Sequence, residues 1–471
     1  MLNYELDFAT PPAAGFDSVI EQIGRRNAHW ASQTSSAKKK ALGQVFTPIM
    51  LAKQLVGLIP STAIRSDEKV IGDPGAGLGI LSSCLAAHCY QQDPSPIEVL
   101  GFEIDERLKE DYQSAWAFFR EQARHPVNGR WLGDFTAHVE QVMTTGEWPG
   151  VDETPKFIIS NPPYQKLSSK SELATTLAKF NVKVPNQYAA FVVLASQWLQ
   201  DDGHLLVVLP RSFCSGQYFR SFRRWLMANL SLEHAVLYRD RSCFKNVLQE
   251  TGLFYFRKGS QRSRVRVTVA EDPDSKPEFD LILPSSEILS EEGWCFPRCA
   301  EDVELIVRNR SREQTLSSMG LTLSTGKLEL NRLQGEFEAT AIYSKDFSKE
   351  GEWTWAEHAK PRTVPVSKRQ LLALPEDGGY VVLKRITANQ GIAPQRLLPA
   401  FLSRESVKQD VVTVDNHVQV LHRDWQPLSK EEGFKIIEFM RSEEAQAVIR
   451  AVSGTTQVNV GDLNQLRFPN L

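Results

Sequence analysis

The 471-residue chain has no apolar run near the ~18 residues that a membrane-spanning helix requires. Its first residues, with Glu5 and Asp7, lack the basic and apolar pattern of a signal peptide. Cysteine is sparse: six in a chain this long do not make a disulfide framework. Cys295 and Cys299 stand close together, but no second ligand pair lies near them, so they read as free thiols and not as a zinc site. These absences together point to a reducing cytoplasm. Charge of one sign is also lacking. Lysine and arginine number 54 against 57 acids, a net charge of −3, which excludes a protein that coats nucleic acid through its overall charge. Any nucleic-acid contact must come from local patches. No internal repeat is visible. What is present, 42% apolar residues over this length, allows two or three domains with ample cores.

The most informative stretch is Phe157-Ile158-Ile159-Ser160-Asn161-Pro162-Pro163-Tyr164. Three apolar residues end a buried strand, and a polar turn follows at once. Pro162 and Pro163 have no N–H and a fixed φ, so they hold the turn extended and stiff. Asn161 is thereby presented at the carboxyl end of a strand, where open α/β sheets bind ligands. A flat ligand carrying an amino group suits this turn. The Asn161 amide oxygen and the Pro162 carbonyl can both accept from the amine, and Tyr164 can lie against the ring.

Upstream, Val70 to Asp73 reads as a strand running into Pro74-Gly75-Ala76-Gly77-Leu78-Gly79 and then a helix. The glycines let backbone approach a ligand at a helix N-terminus. Their spacing is not the dinucleotide Gly-x-Gly-x-x-Gly, although a NAD site stays open on this turn alone. Asp73 would repel a pyrophosphate and suits a cofactor with a cationic amino-acid tail. A second strand, Glu98 to Phe102, ends in Glu103-Ile104-Asp105. Glu103 is placed to accept from both hydroxyls of a ribose, with Ile104 packing on an adenine and Asp105 capping the next helix. Thr47-Pro48 reads as an N-cap with proline at the first helical position. Trp131 to Phe135 looks like a third strand end. After Tyr164, a Ser-, Lys- and Thr-rich loop precedes a helix from Asn186 to Gln200 and a buried strand from His204 to Pro210.

The order of these motifs resembles the S-adenosylmethionine-dependent amino-methyltransferases, and specifically the DNA adenine-N6 methyltransferases of type II restriction–modification systems in their gamma arrangement. Asn-Pro-Pro-Tyr is that family's catalytic motif, shared with some RNA and protein-glutamine methyltransferases. The resemblance is specific over about 41–260 and looser over 300–471. It implies an α/β fold, a doubly wound, mostly parallel Rossmann-like sheet, with a C-terminal α+β target-recognition domain. It implies S-adenosylmethionine as cofactor, double-stranded DNA as partner, and a cognate restriction endonuclease as a separate polypeptide; the chain itself shows no paired Asp and Glu-x-Lys nuclease motif. The expected state is a monomer. The catalytic residues would be Asn161, Pro162 and Tyr164. Thr47, Asp73, Pro74, Gly75, Ala76, Gly77, Glu103, Ile104, Asp134, Phe135 and Pro163 would line the cofactor, with Asp134 accepting from its adenine amine and Phe135 stacking on the ring. No Pro-Cys pair stands where a cytosine-carbon methyltransferase needs its nucleophile. Two alternatives stay open: an RNA or protein-glutamine methyltransferase, and a DNA-recognition subunit with a degenerate catalytic domain.

The rest of the chain sorts by composition. Residues 1–40, rich in Ser, Gln and Ala and ending in Lys38-Lys39-Lys40, read as a solvated arm. Residues 211–270 carry twelve lysines and arginines against three acids, Arg223 and Arg224 among them, and this excess beside the cleft favours phosphate contact. Within it, Phe244 precedes an apolar strand; the resemblance makes it a second wall of a target-base pocket, and a core position serves it equally. The acidic, Pro-rich stretch 271–300 reads as a linker between a catalytic domain, 41–270, and a recognition domain, 301–471. In the latter, Ser429-x-x-Glu432 marks a capping box opening one helix to about Val452.

Overall fold

The computed structural model describes residues 15–35, 37–38, 42–64, 69–123, 126–145, 154–240, 250–355, 357, 360–387, 395–453 and 457–470. The chain divides into two compact units, 1–213 with 218–286 and 214–217 with 287–471.

The first unit is an α/β sheet. Strands β1 (Lys69–Pro74), β2 (Ile97–Phe102), β3 (Val127–Trp131), β4 (Phe157–Ser160) and β5 (His204–Pro210) run parallel in the order β3-β2-β1-β4-β5. β1, β4 and β5 are buried along their whole length, as strands covered on both faces require. The sheet continues through β7 (Thr251–Lys258), β6 (Leu230–Tyr238), β8 (Arg264–Ala270) and β9 (Phe279–Pro284), with β7 antiparallel to both β5 and β6. From β1 the chain first adds β2 and β3 on one side, then β4 and β5 on the other. The strand order therefore reverses between β1 and β4, which is where open sheets leave a crevice at their carboxyl ends.

Two sequence expectations need correction here. Residues 15–33 form a helix, α1, packed into the unit and not a solvated arm. Val19, Ile20 and Ile23 are buried, Phe16 stacks on Phe119 at 5.1 Å, and the Trp30 indole donates to Asp111 at 2.8 Å. The stretch 271–300 is not a linker throughout. Glu271-Asp272-Pro273-Asp274 is the turn between β8 and β9, closed by Asp272 accepting from the Asp274 amide and the Ser275 hydroxyl. The boundary falls after Ser286.

The second unit holds two four-stranded sheets. One is ordered β10 (Thr322–Thr325), β17 (Val418–His422), β14 (Tyr380–Lys384), β15 (Pro399–Leu402). The other is ordered β12 (Thr363–Val366), β11 (Phe337–Ile342), β16 (Val411–Val414), β13 (Leu372–Ala373). The helix expected from Ser429 to Val452 is two, Lys430–Arg441 and Glu443–Val452, because the Ser442 side chain accepts from the Ala445 amide and caps a fresh start. At Ser429 only half of the capping box forms: its hydroxyl caps the Glu432 amide, while the Glu432 carboxylate turns to Arg423.

Candidate active site

The turn after β1 is tied to the end of β2, and the ends of β1 and β4 are tied to each other. The Gly75 and Ala76 amides donate to the Phe102 carbonyl at 2.9 and 2.8 Å, and the Ser160 hydroxyl donates to the Pro74 carbonyl. Gly75, Gly77 and Gly79 all have positive φ, which residues with a side chain rarely adopt. A third segment, Gly43 to Thr47, lies against the Asn161 turn. Gly43 has φ +62°, and a side chain there would come within 2.8 Å of Pro163 Cβ.

Thr47 does not cap a helix. The following helix, Ile49–Val56, has Pro48 at its cap position with no side-chain bond. Thr47 is buried, and its hydroxyl accepts from Asn161 Nδ2 at 3.0 Å; the Val45 carbonyl accepts from the same nitrogen at 3.3 Å. Two acceptors on one side fix the orientation of the amide, since a flipped Asn161 would set its oxygen against the Val45 carbonyl oxygen. Oδ1 therefore faces the opposite way. It accepts there from the Tyr164 hydroxyl at 2.9 Å. The Tyr164 ring meets Tyr188 edge-on at 6.0 Å, and burial raises its phenol well above the ordinary value.

One cavity gathers most of the expected residues. Thr47, Gly75, Ala76, Gly77, Glu103, Ile104, Asp134, Phe135, Asn161 and Pro163 all line it. Glu103 accepts from the Gly77 amide at 3.0 Å and the Asp105 amide at 2.9 Å. Burial raises its pKa and those amides oppose the rise. Ile104 is 52% exposed, an apolar side chain with little protein over it. Asp134 caps the helix Phe135–Thr145 through the Thr136 amide and hydroxyl, both at 2.8 Å. Phe135 is buried edge-on against Phe102 at 5.2 Å.

Other expected residues stand elsewhere. Asp73 is 0% exposed and does not line the cavity. Among the described residues neither carboxylate oxygen has a partner at full hydrogen-bond geometry, and the groups nearest to supplying one are the Ser82 hydroxyl and amide. Ser82 offsets only part of the burial, which lifts the pKa to about 7. Direct contact between Asp73 and a cationic tail does not fit this placement. Pro74 and Pro162 are buried beside the cavity, and Tyr164 adjoins it through Asn161. Arg223 is 1% exposed, its guanidinium donating to the Phe213 carbonyl at 2.8 Å, so it faces no phosphate; Arg224 is exposed. Phe244 lies outside the described residues.

Sequence reasoning missed Asn27 and Gln44, which also line the cavity. Asn27, on α1, is 5% exposed; among the described residues its Oδ1 has no partner, and neither does either polar atom of the buried Gln44 side chain. Buried amide groups are costly when unpaired, so these mark where a polar ligand belongs. The apolar periodicity Val19, Ile20, Ile23 is the signal that would have placed α1 in the core and Asn27 with it.

Residues 103–244 match the family model described as Eco57I restriction-modification methylase. Over those residues the chain is similar to an Eco57I-type restriction–modification methylase domain. The cofactor that the sequence motifs imply is S-adenosylmethionine. The cavity fits that molecule: a carboxylate for ribose hydroxyls, an exposed Ile104, glycine amides, and unpartnered amide groups for an amino-acid tail. Type II methyltransferase M.BsuBI of Bacillus subtilis is 28% identical over 451 residues, covering 92% of this chain and 88% of that protein. Type II methyltransferase M.PstI of Providencia stuartii is 27% identical over 460 residues, covering 92% and 87%. The type IIL restriction-modification enzyme MmeI, solved in complex with DNA, shares the fold: TM-score 0.55 and 13% identity over 95% of this chain and 70% of that one. Both units of the chain are thus spanned by relatives, beyond the matched methylase domain.

Proposed function

We propose that the protein is a site-specific DNA methyltransferase acting on adenine N6, the modification partner of a separately encoded restriction endonuclease. The observation that carries this reading is the pinned amide of Asn161. With Nδ2 committed to Val45 and Thr47, the atom left for substrate is an acceptor, Oδ1. An acceptor at the edge of the cofactor cavity selects a donor, and an exocyclic amino group is the donor that can be methylated.

The amino nitrogen of adenine is conjugated with its ring and is a poor nucleophile. Asn161 Oδ1 and the Pro162 carbonyl, accepting its two hydrogens, draw the nitrogen toward tetrahedral geometry and free its lone pair. S-adenosylmethionine, when bound, supplies the electrophilic methyl. A preorganised acceptor of this kind contributes on the order of 3 kcal/mol to the transition state. The Tyr164 hydroxyl takes one of the two lone pairs of Oδ1, and the other is left to accept from an arriving amine. A base stacked in a duplex cannot reach the site and is flipped out. Glu103 holds the cofactor ribose and Asp134 its adenine amine. Asn27 Oδ1 suits the ammonium of the cofactor tail and the Gln44 amide its carboxylate.

Asn161→Ala tests the reading. Methyl transfer in a single turnover should fall about 10²–10³-fold, with S-adenosylhomocysteine and duplex binding retained. A wild-type rate would remove Asn161 from the chemistry.

A further inference from the structure

The second unit contains a cleft of about 450 Å³, wide enough for a nucleotide-sized group. Lys327, Lys368 and Arg369 stand at it, with Leu372, Leu374 and Pro427 forming an apolar wall.

Its floor is built at a conformational cost. Asp424 and Trp425 have φ of +50° and +61°, and Arg423 and Gln426 exchange backbone bonds at 3.1 and 2.9 Å across them. This is a two-residue hairpin turn in which glycine or asparagine is the ordinary occupant and a tryptophan is an outlier. The turn lays the indole flat on His422, with centroids 4.1 Å apart, and the Tyr380 hydroxyl holds the Trp425 carbonyl at 3.1 Å. Lys327 Nζ sits 3.4 Å from the centre of that ring and donates to the Arg369 carbonyl at 3.0 Å. Gln370 returns a bond to the Lys327 carbonyl at 3.1 Å, so Lys327 and the Lys368–Arg369 turn form one cross-tied rim. Burial and the neighbouring Arg369 both lower the pKa of Lys327.

These three cations differ from much of the unit's surface. Arg423 pairs with Glu432, Arg404 with Glu376 and Asp410, Lys430 with Glu405, Lys435 with Glu431, and Arg362 with Asp346. Among the described residues, no carboxylate pairs with Lys327, Lys368 or Arg369. Three like charges held together on a rigid rim, without a protein counter-ion, call for an anion. The apolar wall beside them suits a sugar better than a free ion.

We infer that this cleft takes the phosphodiester backbone of duplex DNA, with Lys327, Lys368 and Arg369 on the phosphates and the deoxyribose against the apolar wall. The inference rests on the DNA methyltransferase reading. The test uses the full chain carrying Lys368→Gln and Arg369→Gln, both exposed positions. Affinity for labelled duplexes is measured across a salt series. The expected result is weaker binding to every duplex sequence alike, with the slope of log affinity against log salt smaller by about 1.8, or 0.9 for each lost phosphate contact. Binding of S-adenosylhomocysteine and the melting temperature should be unchanged, and Lys435→Gln, which removes a paired lysine, should leave the slope alone. A wild-type slope and affinity in the double variant would overturn the inference. So would a changed sequence preference, which belongs to a base-reading site. If the wild-type chain bound no duplex, the methyltransferase reading itself would fail, a separate outcome.

Discussion

Asn161 and Asn27 illustrate what one amide can do when its surroundings decide its orientation. Asn161 has both hydrogens taken by the Val45 and Thr47 oxygens, which leaves an acceptor for substrate. On the proposed reading Thr47 is therefore a positioning residue, a role that an N-cap reading of Thr-Pro hides. Asn27 has the reverse problem: its oxygen is buried, with nothing to accept from among the described residues. A hydrogen bond to a charged donor contributes about 1.5–3 kcal/mol. Asn27→Ala should thus weaken S-adenosylhomocysteine about 10–100-fold while leaving 5′-methylthioadenosine, which has the nucleoside but no amino-acid tail, at its wild-type affinity. Calorimetry on the two ligands checks this. Equal effects on both, or none on either, would place Asn27 away from the tail.

At the scale of elements, the basic segment 211–270 shows how a local charge count misleads. Arg211 forms a buried pair with Glu250 at 2.6 Å, Arg239 pairs with Glu278, Arg257 with Asp202, and Arg266 with Asp280. Three of those acids lie outside the segment and reach it through strand pairing, so composition within the window could not reveal them. Helix Arg220–Asn229 shows the same split between neighbours. Arg223 points inward to the Phe213 carbonyl and Arg224 outward. Removing a buried charge-assisted bond costs about 1–3 kcal/mol. Arg223→Ala should lower the thermal midpoint by several degrees with duplex affinity per folded molecule unchanged, and Arg224→Ala should leave the midpoint in place. A stable Arg223→Ala protein with weakened duplex binding would contradict the buried role.

For the whole molecule, four of the motifs were legible because they follow the carboxyl ends of β1 to β4, and the strand order brings those ends together. Thr47, Gly75, Glu103, Asp134 and Asn161 come from five separated segments and meet in one cavity. Apolar runs and turn chemistry found these strands, and the family resemblance implied a mostly parallel sheet; the order of the strands within it came from the coordinates. Periodicity and turn chemistry did not find α1, whose apolar stripe is short and set in polar sequence, or the β8–β9 hairpin, whose acidic proline turn has the composition of a linker. Asp73 shows a further limit: an acid beside a ligand turn can point inward, and only coordinates tell which way.

The chemistry at the amino group is open to direct measurement. Unmethylated genomic DNA is incubated with the purified chain and methyl-deuterated S-adenosylmethionine, digested to nucleosides and resolved by mass spectrometry. Deuterated N6-methyladenine is the expected product, and none should form with Asn161→Ala. Label in N4-methylcytosine, or in no nucleoside, would contradict that expectation.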